Sequence, residues 1–338
     1  LRVVELAGIG PGPFAAMLLA DLGADVVRVD RVGRGSPLSV DPRHDLLNRG
    51  KRSVAADLRG APGRELVLAL ASRADALVEG YRPGVAERLG VGPAEVLARN
   101  PRLVYARMTG WGQDGPLAGS AGHDITYLAI TGALHAIGRQ GGPPQVPLNL
   151  VGDFGGGSLY LVVGLLAALH EAARSGRGQV VDAAVTDGVA HLTTLFHGLA
   201  ATGAWRAERG VNLLDTGAPF YDVYPAADGR YLAVGALEPQ FYAEFIRLLD
   251  PGDDLPEQYD RAQWPRLRAR IAAAFATRTR AQWAEVFEGT DACVAPVLSL
   301  TEAPAHPHLA ARGTFEQRGD VVQPAAAPRF SGSMSVAV

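Results

Sequence analysis

Residues 3–15 read Val3-Val4-Glu5-Leu6-Ala7-Gly8-Ile9-Gly10-Pro11-Gly12-Pro13-Phe14-Ala15. Val3–Leu6 is a short strand and Gly8–Pro13 a turn-forming loop. Phe14–Leu22 is rich in Ala and Leu and reads as a helix that stops at Gly23. Val26–Val29 is the next strand. Gly10, Gly12 and Ala15 fit the G-x-G-x-x-G/A pattern, and Asp30 ends the second strand, where an acid would hold a ribose. The bare motif therefore suits an NAD(P)-dependent oxidoreductase, or a tight βα turn with no ligand. Two features oppose a dinucleotide. Pro11 and Pro13 lack the backbone N–H groups that cradle a pyrophosphate. Arg31 follows Asp30 directly, and a cation there suits a phosphate as well as a ribose hydroxyl.

The alternation continues outward from this unit. Ser53–Leu58, Asp75–Val78 and Leu103–Met108 read as strands. Gly63–Ser72 and Pro93–Arg99 read as helices, with Pro93 suited to a first turn. Strands alternating with helices predict a parallel α/β sheet covered on both faces. After a Gly- and Ser-rich loop, Thr109–Gly122, come helices at Asp124–Leu134 and Gly156–Glu171, a strand at Gln179–Ala183 and a helix at Asp187–Leu199. From about Gly217 the character changes. Tyr221–Pro225 and Arg230–Val234 flank the hairpin signal Ala226-Ala227-Asp228-Gly229. Helices at Pro239–Leu249, Trp264–Ala276 and Arg280–Glu288 complete a smaller α+β domain. Pro324–Pro328 is expected to be extended.

A chain of 338 residues suits two domains. The net charge of −3 argues against a nucleic-acid partner. Lys51 is the one lysine, and the arginines are scattered along the chain, as composition bias would leave them. Cys293, the one cysteine, excludes an intrachain disulfide, fits a reducing cytoplasm, and sits in an apolar run that predicts a buried core position. No signal peptide is expected. Leu159–Leu169 is too short an apolar run to span a bilayer and reads as a buried core helix.

An ordered set of motifs extends over nearly the whole chain. It comprises Gly8–Pro13, Asn48-Arg49-Gly50-Lys51-Arg52-Ser53, Glu79-Gly80-Tyr81-Arg82-Pro83-Gly84-Val85, Ala106–Gln113, Gly122-His123-Asp124-Ile125, Gly152–Gly157 and Glu238-Pro239-Gln240-Phe241-Tyr242. In these residues the chain resembles the family III CoA-transferases, the carnitine and bile acid CoA-transferase group. Within it, the resemblance is closest to the branch that racemises 2-methylacyl-CoA thioesters. The resemblance implies a Rossmann-like large domain (1–190), a linker (191–218), a small α+β domain (219–313) and a C-terminal return to the large domain (314–338). It also implies an interlocked homodimer with a shared active site, working in lipid metabolism, with an acyl-CoA substrate, no membrane partner, no metal and no cofactor beyond the CoA of the substrate.

Racemisation removes an α-proton from one face and returns one to the other. The thioester acidifies that proton, so two bases in opposite protonation states suffice. By resemblance these are His123 and Asp153. Read bottom-up, His123 is a loop residue and Asp153 a helix cap or the start of a flexible glycine run. The amide of Asp124, at a helix start, is the candidate donor to the enolate oxygen. Glu238 resembles the acid that orients the histidine, supplied by the partner subunit. CoA contacts carry over as Arg31, Ala56, Asp57, Leu58, Arg59, Gly80, Tyr81, Arg82 and Arg88, the arginines suiting phosphates. Gly122, Ile125, Thr126 and Tyr127 are expected at the thioester end. A CoA-transferase would instead use Asp153 as a nucleophile, with a glycine-rich loop near Val234–Glu238, where this chain has one glycine. A non-catalytic acyl-CoA-binding relative finds no support, because His123, Asp153 and Glu238 are all present. The acyl group is left open.

Overall fold

Strand β1 (Arg2–Leu6) lies between β2 (Asp25–Arg31) and β4 (Ala76–Glu79). With β3 (Lys51–Ala56), β5 (Val104–Thr109) and β6 (Val180–Ala184) it forms a six-stranded parallel sheet in the order β3-β2-β1-β4-β5-β6. Val3, Val4, Leu6, Leu77, Val104 and Tyr105 are all buried, as expected for parallel strands covered on both faces. The strand order reverses between β1 and β4. A crevice opens at such a point, beyond the carboxyl ends of the strands. The computed structural model describes residues 1–33 and 41–332, and the chain folds as two units: Leu1–Ala133, Pro147–Thr194 and Gly313–Val338, then Leu134–Val146 with Leu195–Arg312.

In the first unit the opening helix runs Pro11–Asp21 and begins three residues before the expected Phe14. The two prolines are tolerated because first-turn amides have no intrahelical acceptor. Gly10, at φ +70°, makes the turn from strand to helix.

The glycine run after Asp153 is not a flexible loop, contrary to expectation. Leu150–Leu159 forms a π-helical stretch that continues into the α-helix Tyr160–Ser175. Its glycines serve close packing. A Cβ on Gly188 would overlap the Gly156 carbonyl, and a Cβ on Gly156 would lie 2.8 Å from the Val189 nitrogen. Leu161 and Leu165 are buried, but Val163 is 67% and Leu166 43% exposed. The segment is therefore not the wholly buried core helix expected. The continuous helix spans 26 residues, Leu150–Ser175, and is long and apolar enough to cross a membrane by length and composition, which corrects the reading of that run as too short.

The tail returns to this unit as a hairpin of Phe315–Arg318 and Val321–Pro324. Arg49 holds it, donating to the Gln323 side chain and the Pro324 carbonyl while pairing with Asp21. Nearby, the Lys51 ammonium lies 2.7 Å from Glu5 with both side chains 1% exposed, and it donates to the Pro13 carbonyl.

The second unit has an antiparallel sheet of β7 (Tyr221–Pro225), β8 (Tyr231–Gly235) and β9 (Val294–Pro296). Helices Pro239–Leu249, Trp264–Phe275 and Arg280–Phe287 cover a core of Phe220, Phe245, Phe275 and Trp283. Residues 195–218, read as linker, belong to this unit. Asn212 is fully buried there and bonds Arg206, Glu208 and Asp215. The carboxylate of Asp222 is clamped by Arg139 and Arg268. Cys293 is exposed rather than buried: at φ +53° the chain turns, and Ala292 takes the core position.

Gly188→Ala is expected to lower stability by about 1–3 kcal/mol through overpacking against Gly156. The urea midpoint checks this, and an unchanged midpoint would show that the helices separate freely.

Candidate active site

Two adjoining clefts open over the carboxyl ends of the sheet. The first, about 510 Å³, lies beyond β1–β4 and is lined by Gly8, Ile9, Arg31, Ala56, Asp57, Leu58, Arg59, Gly80 and Tyr81. The second, about 340 Å³, shares Ile9, Gly80 and Tyr81 and continues past Arg82 to Gly122, His123, Tyr127 and Asp153. Such sizes suit small-molecule sites. Of the sequence candidates, Arg88, Asp124, Ile125 and Thr126 line neither cleft. Arg88 folds back toward Gly84, where a Cβ would lie 3.0 Å from its guanidinium. Ile125 is exposed. Glu238 belongs to the second unit and is the N-cap of the helix Pro239–Leu249.

The bend at Gly80–Arg82 is fixed from below. Glu79 is buried, pairs with Arg107 at 3.0 Å and accepts the Tyr81 N–H at 2.6 Å. Arg107 also pairs with Glu87 at 2.8 Å. Burial pushes the Glu79 carboxyl and the Tyr81 phenol up. A buried ion pair of this kind is costly to break, because either partner alone is left desolvated. Opposite the bend, the Tyr127 ring packs into space left by two glycines. A Cβ on Gly110 would overlap the ring, and a Cβ on Gly122 would lie 2.5 Å from it. Trp111 meets Tyr127 edge-on with centroids 4.7 Å apart.

His123 is the N-cap of the helix Asp124–Ile130, in extended backbone. Its N–H donates to Thr126 Oγ1 at 3.0 Å, and the Thr126 hydroxyl donates back to the His123 carbonyl at 2.7 Å. Thr126, expected near the thioester, thus shapes the histidine's backbone. The amides of Asp124 and Ile125, at the first two helical positions, have no intrahelical acceptor, leaving donors beside the imidazole.

Asp153 lies in the first turn of the π-helical stretch. A Cβ on Gly10 would sit 3.1 Å from Asp153 Oδ2. The opening glycine loop thus makes room for the Asp153 carboxyl group beside the turn that the bare motif assigned to a pyrophosphate. Phe154 stacks on Phe14 with centroids 4.2 Å apart, and Ser158 Oγ lies 2.7 Å from the Pro11 carbonyl and 3.0 Å from that of Asp153. Glycine loop and π turn form one docked unit, a link that no local sequence pattern announces. Burial pushes the Asp153 carboxyl up, and the Asp124 charge adds to this. A hydrogen bond from Asn149 and the nearby His123 oppose it. The arrangement brings an imidazole and a carboxyl of raised pKa to one cleft, the pair of groups that proton transfer at a carbon acid uses. In the second unit, burial, then Glu238 and Asp291, push the Cys293 thiol up, which disfavours it as a nucleophile.

Because the folded-state pKa of Asp153 is raised, its ionisation opposes folding. Stability is full below the ordinary aspartate range and falls as pH rises through the folded pKa. Asp153→Asn is therefore expected to raise Tm at neutral pH, with the gain vanishing below about pH 4. Melting curves across pH check this, and a gain independent of pH would show that the charge is not responsible.

The sequence pattern of CoA-transferase family III matches residues 1–337. The chain is 46% identical over 338 residues to alpha-methylacyl-CoA racemase of Mus musculus, covering 99% of this chain and 87% of that protein. It is 47% identical over 318 residues to alpha-methylacyl-CoA racemase of Homo sapiens, covering 93% and 81%. A solved CAIB/BAIF family protein from Brucella suis superposes with a TM-score of 0.84 at 27% identity, over 99% of this chain and 92% of that one. The chain belongs to CoA-transferase family III.

Proposed function

We propose that the protein is a racemase of 2-methylacyl-CoA thioesters, working by two-base α-proton exchange. The observation that carries this reading is the meeting of His123 and Asp153 at one cleft, with the Asp153 carboxyl raised by burial. The relatives that share nearly half its residues bear the same activity in their names.

In this reading the CoA nucleotide lies over β1–β4 near Arg31 and Arg59, and the pantetheine arm passes Gly80–Arg82. The thioester oxygen accepts the Asp124 amide. With His123 neutral, the imidazole takes the α-proton from one face and the C–H electron pair moves onto the thioester oxygen as an enolate. The Asp153 carboxylic acid then gives its proton to the opposite face of the α-carbon and becomes a carboxylate. The other epimer runs the steps in reverse. No cofactor beyond the CoA of the substrate enters.

The exposed apolar side chains Leu159, Val163 and Leu166 along one helix suit a second copy of the chain. In the resulting homodimer, Glu238 of the partner subunit would orient His123, which is exposed in a single chain. A cytoplasmic setting in lipid metabolism, without nucleic-acid or membrane partners, completes the proposal.

CoA transfer is the weaker reading. Burial opposes ionisation of the Asp153 carboxyl, and the ionised form is the nucleophilic one. Where a transferase would carry a glycine-rich loop, Val234–Glu238 has one glycine, and it closes β8, the Gly235 N–H donating to the Cys293 carbonyl at 2.9 Å.

Incubating one epimer in D₂O without an acceptor acid is expected to place deuterium at the α-carbon. His123→Ala should lower exchange by about 10²–10⁴-fold and leave CoA binding unchanged. No exchange in the unaltered protein, together with CoA transfer to an added acid, would sink the racemase reading.

A further inference from the structure

The side chain of Asp124 does not cap its own helix. Its carboxylate turns to the neighbouring π-helical stretch, where Oδ1 accepts the Asp153 N–H at 2.6 Å and the Gly152 backbone amide also donates to it. Oδ2 is buried and has no hydrogen-bond partner, and the residue is 8% exposed. Gly152 is what lets the carboxylate reach the peptide, since any Cβ there would overlap Oδ1. The element carrying one reacting group is thus tied, through the residue after His123, to the element carrying the other.

A desolvated carboxylate with one oxygen unsatisfied is expensive. The Asp124 charge also acts on the nearby Asp153 side chain and disfavours its ionisation. We propose that Asp124 is a positioning residue whose carboxylate, seated on the Gly152–Asp153 peptide, fixes the Asp153 turn opposite His123 and couples electrostatically to the Asp153 side chain.

Burial pushes Asp124 up, against the two backbone amides, and the Asp124 charge in turn helps to push up Asp153. Other groups facing the pair are His123 and Tyr127 on the helix side, Asn149, which donates to Asp153, and Arg82, which acts on Tyr127. On the packed helix Val185–Leu192, His191 bonds Tyr160 at 2.6 Å and Asp187 acts on Asp182. Asp21, on the glycine-loop helix, is paired with Arg49, and Arg107 on β5 with Glu79 and Glu87.

The catalytic consequence rests on the racemase reading; the coupling does not. Asp124→Asn keeps an oxygen acceptor for the Asp153 amide but removes the charge. In this variant, with a wild-type circular dichroism spectrum, the limb of the α-proton exchange profile that reports Asp153 should move to lower pH. Coupling is reciprocal, so ¹³C NMR of labelled aspartate carboxyls should show Asp124 titrating at lower pH in Asp153→Asn than in the unaltered protein. This second arm decides the matter even where Asp124→Asn does not fold. Titration of Asp124 unmoved by Asp153→Asn overturns the proposal, as does an unmoved exchange limb in folded Asp124→Asn. Absence of exchange in the unaltered protein overturns the racemase reading alone.

Discussion

A carboxylate seated against a glycine is the constraint on which the site depends. Asp153 occupies space that any side chain at position 10 would take. The Phe14–Phe154 stack and the Ser158 hydroxyl hold the two backbones at that distance. Because the glycine loop ends β1 and the π turn begins the long helix packed on the sheet, this contact ties the acid to the sheet. Burial at this contact also pushes the Asp153 carboxyl up.

Parallel strands buried on both faces are visible in a sequence as apolar or β-branched runs, which is why β1, β2 and β5 were legible within a residue or two. Of the cleft residues, Arg31 was legible from its place after Asp30, whereas Ala56–Arg59 and Gly80–Arg82 were legible only through the family resemblance, because each alone resembles an ordinary surface loop. Gly155–Gly157 misled, since glycine signals flexibility to a local reading and tight packing to a tertiary one. Cys293 misled for a related reason: its neighbours are apolar, but a positive φ rotates its side chain outward. The roles of Gly110, Gly122 and Gly152 had no local signal at all, because the partners that fill their missing side chains lie far away in sequence.

The decoy motif is instructive. In a dinucleotide fold the glycine loop brings bare amides to a pyrophosphate. Here two prolines remove two of the donors at the helix start, and an acid from a distant turn fills the opening. The donors reappear elsewhere, at the helix start after His123. The architecture and strand order are shared with nucleotide-binding sheets, while the opening of the glycine loop is taken up by an acidic side chain.

The Glu5–Lys51 pair has a separate consequence. The chain's one lysine lies inside the fold, bonded to a carboxylate and to the first turn of the opening helix. Reagents and modifying enzymes that seek an ε-amine meet none on the folded surface. Acylation of this side chain therefore reports opening of the core itself, and a reactive acyl thioester held at the site has no lysine within reach to consume it in a side reaction.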